Sequence, residues 1–145
     1  MPTSTLLEST LLWGSLIGLV HFALIGALYG NPIVDRIYRE AMEGEAGVKK
    51  WSSKPRYLVT QFAGTQLEIY ALSFAYFWLR PLLGAEGIHG ALLLGALLAA
   101  VRVYPRFWNM WIQSTYPNRL LAIEFVNGII STLVVVMGLE YMAGS

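Results

Sequence analysis

"GALLAAVRVYPRFWNMWIQ", residues 95–113, begins as lipid-seeking sequence and then sets Arg102 and Arg106 where the apolar run should continue. The unbroken apolar part starts at Ile88 and ends at Val101, about 14 residues, whereas a helix needs about 20 to cross a hydrocarbon core. If this helix spans a membrane, it carries Arg102 in with it. A charge at that depth needs a partner or a polar cavity, so the fold and the chemistry both turn on what faces Arg102.

The rest of the chain points to lipid. Of its 145 residues, 56% are apolar and only 13% charged, with a mean hydropathy of +0.54; soluble domains carry about 25% charged residues. The length fits one domain, 1–145. The absence of cysteine excludes disulfides and thiolate chemistry, and a net charge of +1 suggests no nucleic-acid partner. Four runs are long enough to span: Leu6 to Tyr29, Tyr57 to Leu79, Ile88 to Met110 and Arg119 to Met142. The third is the weakest of them. The first has no basic residue before it and is too long for a cleaved signal, so it reads as a retained helix. The expected fold is all-α, an integral-membrane four-transmembrane-helix bundle.

The loops orient it. "NPIVDRIYREAMEGEAGVKKWSSKPR", residues 31–56, holds Arg36, Arg39, Lys49, Lys50, Lys54 and Arg56, while the next connection has only Arg80. Arg102, Arg106 and Arg119 gather at the third connection, and the termini carry no basic side chain. By the positive-inside rule, loop 30–56 and the third connection are cytoplasmic and both termini face out, as in a bacterial inner membrane. Tyr29, Trp51, Tyr57, Trp108, Trp111 and Tyr116 mark the cytoplasmic interface, and Trp13, Tyr76, Trp78 and Tyr141 the outer one. Loop 30–56 reads first as a solvated topogenic loop. Its segment "DRIYREAMEG" could instead form a short interfacial helix with Ile37, Ala41 and Met42 toward lipid, ended by Gly44 and Gly47.

At the helical period each span has one polar or small face. Helix one aligns Gly14, Gly18 and His21, a small-residue pair that lets a neighbour approach closely. Helix two aligns Gln61, Gly64 or Thr65, and Glu68, with Gln66 to the side; helix three Gly95, Arg102, Arg106, Asn109 and Gln113; helix four Glu124, Asn127 or Gly128, and Ser131. Counted from the cytoplasmic ends at about 1.5 Å per residue, His21, Arg102 and Asn127 lie about 12 Å deep and Glu68 about 16 Å, with Glu124 and Arg106 shallower. Glu68 is the expected partner of Arg102, and Arg106 can snorkel or pair with Glu124. The candidate polar layer is therefore His21, Gln61, Glu68, Arg102, Arg106, Glu124 and Asn127. A satisfied packing or hydrogen-bonding role is the plainer reading of His21. No metal site is expected, because His89 lies at the opposite face. Pro105 should kink helix three beside the charges, Asn31-Pro32 ends helix one, and Asn118 can cap helix four.

"GALYGNPIVDRIYREAM" and "QSTYPNRLLAIEFVNGIISTLVVVMG" resemble the bacterial four-helix membrane proteins grouped as domain of unknown function 1761. Tyr29, Pro32, Gln113, Arg119 and Asn127 take that pattern's places, although Leu28 replaces a tryptophan and Gln113 an asparagine. This resemblance implies a fold and no activity. "RVYPRFW" with "YPNRLLAIEFVNG" is similar to membrane-associated glutathione-metabolism proteins, although the characteristic polar run of their second helix is not reproduced by "TQFAGTQLEIYA". That likeness implies a trimer in which Arg102, Arg106 and Glu68 bind a peptide's ionic groups.

Three function classes fit. One is an accessory subunit or a binder of a lipid-like, amphipathic small molecule, with the bilayer, a second copy or a membrane complex as partner. A second is a membrane enzyme with Glu68 and His21 as acid and base and an arginine as anion anchor. A third is a dimeric transporter or proton path. No motif specifies a cofactor, and the first class is preferred because no catalytic motif is present.

Overall fold

The computed structural model describes residues 3–144, and among these it is all-α, with no strand. Its helices are α1 (Thr3–Gly30), α2 (Pro32–Gly44), α3 (Lys54–Leu82), α4 (Gly87–Gln113) and α5 (Asn118–Gly144). The four long ones exceed the expected spans by a few residues at most ends. α1, α4 and α5 are long and apolar enough to cross a membrane, with best-window mean hydropathies of 2.0, 1.6 and 2.2. The run that falls short is thus not α4. It is α3, which has the length, 29 residues, but is not apolar enough to qualify, because it dilutes its apolar side chains with Lys54, Arg56, Gln61, Gln66, Glu68 and Arg80.

α5 packs broadly on α4, and α1 on both α3 and α5, while α3 touches α4 and α5 only lightly. The α1/α3 contact rests on two of the glycines of α1, Gly14 and Gly18. A β-carbon on Gly18 would stand 2.0 Å from Gln66 Oε1, and one on Gly14 would stand 2.8 Å from the Tyr70 ring. Gln66 enters that space and donates to the Gly14 carbonyl at 3.0 Å. It therefore belongs to the interface rather than to its side.

The main apolar core, including Ile17, Ile69, Leu72, Leu94, Val136 and Leu139, fills the half of the bundle away from α2. Tyr76 is part of it, with no exposed surface, which corrects its reading as an interfacial aromatic. A smaller cluster closes the α2 end, where Ala41, Val48 and Leu120 are buried among Ile37, Tyr38, Met42 and Ile123.

Loop 30–56 is not simply solvated. Asn31 caps α2 by accepting from the Ile33 amide at 2.9 Å, and Pro32 opens the helix, an arrangement favoured at helix starts. Ile37, Ala41 and Met42 face the beginning of α5 rather than lipid. The reason is geometric: Tyr38 and Glu40 are anchored on α5 and its preceding loop, which turns the apolar stripe inward. α4 continues unbroken through Pro105. α5 begins at Asn118, so the cap position falls to Pro117, whose carbonyl accepts from the Leu120 and Leu121 amides at 3.0 and 3.1 Å.

Candidate functional site

Arg102 projects from α4 between α3 and α5. Its Nε donates to Glu68 Oε1 at 2.6 Å and its Nη2 to Oε2 at 2.7 Å, the two-pronged geometry that matches a planar guanidinium to a carboxylate. Nη1 donates to Thr132 Oγ1 at 2.7 Å and Ser131 Oγ at 3.2 Å. Both hydroxyls send their own protons to the Gly128 carbonyl, at 2.7 and 3.1 Å, which leaves their lone pairs free for the arginine. The charge of Arg102 is matched within the chain. Its side chain is 17% exposed against 42% for Glu68, so the carboxylate looks outward through the loosely packed α3/α4 edge.

His21 sits in this layer on α1, within electrostatic reach of both Arg102 and Glu68. It is 1% exposed, and neither ring nitrogen has a hydrogen-bond partner. Of the packing or hydrogen-bonding role expected for it, the geometry gives burial without hydrogen bonds. Buried polar groups are nearly always paired, and a histidine with two open nitrogens stands out for that reason.

The other candidates separate from this centre. Asn127 is buried with an unpartnered Nδ2, one turn from Ser131 on the same face of α5, and its neighbour is Tyr29. Glu124 anchors a second layer at the α2 end. It accepts from Tyr116 at 2.5 Å, Tyr38 at 3.2 Å and Arg106 at 3.3 Å. Burial, followed by the Glu124 carboxylate, pushes both phenols above their usual range. Arg106, 70% exposed, reaches this layer from the surface. Gln61 is exposed and donates to Thr65 one turn along at 3.2 Å. It does not join the layer, because the start of α3 stands clear of its neighbours and Lys54 to Gln61 are all exposed.

A third layer, at the far end, was not among the candidates. Glu140 on α5 accepts from Arg80 Nε at 2.7 Å and Nη2 at 2.9 Å, from the Gly87 amide at 2.8 Å, and from the Tyr76 hydroxyl. Gly87 takes φ 68° to present that amide, a conformation glycine adopts without steric cost. The signal in the sequence was a lone Arg80 and a lone Glu140, each near a helix end, with nothing to say that they meet. The chain matches no family model, no curated protein and no solved structure.

Proposed function

We propose that the chain is a four-span membrane protein of the bacterial inner membrane, with residues 31–56 and 114–117 on the cytoplasmic side and both termini outside, that holds the polar head of a lipid-like molecule in its central layer. The likeness to domain of unknown function 1761 belongs to this reading. α3 is its fourth span, of the same length as its neighbours, with its one mid-helix charge matched by Arg102. The observation that carries the binding role is His21, 1% exposed with both ring nitrogens unpartnered beside a neutralised ion pair.

The chemistry of the layer narrows the ligand. A neutral imidazole offers one donor and one acceptor, and Arg102 and Glu68 already satisfy each other. A phosphate would have to displace Glu68, whereas a hydroxyl or amide head group would pair with His21 without disturbing any bond. The loosely packed α3/α4 edge, where Glu68 is 42% exposed, is the route for an amphipathic molecule from the bilayer. The test is native mass spectrometry of detergent-solubilised protein, wild type beside His21→Phe, with bound molecules extracted and identified. A neutral amphiphile retained by the wild type and lost by a folded His21→Phe supports the reading. Identical extracts from the two proteins contradict it.

A further inference from the structure

The chain has ten lysines and arginines, and they divide cleanly. Arg36, Arg39, Arg80, Arg102, Arg106 and Arg119 each lie within ion-pair distance of a carboxylate. Among the described residues, the four cations that do not are Lys49, Lys50, Lys54 and Arg56, all exposed and close together in the loop that leads into α3 and in its first turn. Residues 46–56 contain no acid. Glu43 and Glu45 border the same shallow hollow as Lys49 and Lys50, yet neither forms an ion pair with them.

Two further features fix the height of this cluster. Trp51 and Tyr57 are 37% and 40% exposed, with ring centroids 5.5 Å apart, and Lys49 Nζ stands 4.5 Å over the Trp51 ring. Such amphipathic rings settle at the head-group level of a bilayer. The cluster also adjoins the ends of the apolar helices, since α1 stops at Gly30 and α5 starts at Asn118 on the same side of the molecule. Trp108 and Trp111, 43% and 50% exposed, mark that level on α4.

We infer that residues 49–57 form a docking surface for the phosphate head groups of anionic phospholipids in the surrounding bilayer. The six paired arginines each have a carboxylate of the protein beside them. The four unpaired cations have their charge answered by lipid, with Trp51 and Tyr57 holding them at the depth of the phosphates. This inference is independent of the head-group reading of the central layer and needs only that the chain is embedded in a membrane.

The test is a titration of the solubilised protein with phosphatidylglycerol and with phosphatidylcholine, read by native mass spectrometry. The wild type should retain phosphatidylglycerol in preference, and each of the four cations replaced by glutamine should weaken that retention about fivefold. Arg36→Gln with Arg39→Gln, which removes from paired positions the same two charges that Lys49→Gln with Lys50→Gln removes from unpaired ones, should leave it nearly unchanged. Where the variants at the unpaired positions do not insert or fold, the wild type decides alone: its preference should fall as salt is raised, because exposed charges are screened over about 8 Å at physiological ionic strength. Equal retention of both lipids, or equal losses in the paired and unpaired variants, overturns the inference. Retention by the wild type of an acidic protein in place of lipid overturns it as well.

Discussion

At the scale of single residues, Arg102 makes four hydrogen bonds with its guanidinium. Removing either member of such a buried pair strands the other, at a cost of about 3–5 kcal/mol, whereas replacing both by apolar groups is often neutral. Since Glu68 keeps 42% exposure, the lower end applies. Arg102→Gln should lower stability by about 3 kcal/mol, read by denaturant unfolding in detergent, and Arg102→Met with Glu68→Leu should recover most of the loss. If the double variant is no better than the single, the pair does more than neutralise itself. The pairing was legible in sequence because Arg102 and Glu68 occupy polar stripes at similar estimated depths. The hydroxyls of Ser131 and Thr132 as acceptors were not, because periodicity cannot show that both would turn toward Arg102. Nor could it show that His21 would end without a partner.

Elements are joined by contacts that can be tested as pairs. Gly18→Ala would push its new carbon into the Gln66 amide, costing about 1–3 kcal/mol in a packed interface. Gln66→Ala in the same chain should relieve much of that cost, and a double-mutant cycle measures the coupling. At the α2 end, Tyr38 and Tyr116 hold α2 through Glu124. Their phenols are raised from the ordinary value of 10.0, so the unfolded chain loses these protons first. The stability they contribute is complete below pH 10 and falls as pH rises further. Tyrosinate absorbance should therefore show a late-titrating fraction that shrinks in Tyr38→Phe with Tyr116→Phe, and α2 should become more sensitive to protease in that variant. The helical pattern of "DRIYREAMEG" was visible in the sequence. Its target was not, since an apolar stripe of that size fits lipid and protein equally well.

For the whole molecule, three polar layers share one plan. Glu140, Ser131 with Thr132, and Glu124 all belong to α5, and each receives groups from other segments. α5 is the post to which the remaining helices are tied, and α3 is tied mainly by side chains where its backbone packs lightly. Four long helices were readable from composition and spacing. The identity of the weak one was not, because a run interrupted by Arg102 looks worse on paper than one diluted by Gln61, Gln66 and Glu68. In the proposed topology α3 crosses the membrane as a fourth span despite this dilution. The chain has no native cysteine, so Lys50→Cys and Glu86→Cys, which flank α3, can each be probed in cells with a membrane-impermeant thiol reagent. The cysteine at 86 should react in intact cells and the one at 50 only after the membrane is opened. Reaction of both from the same side would contradict that topology.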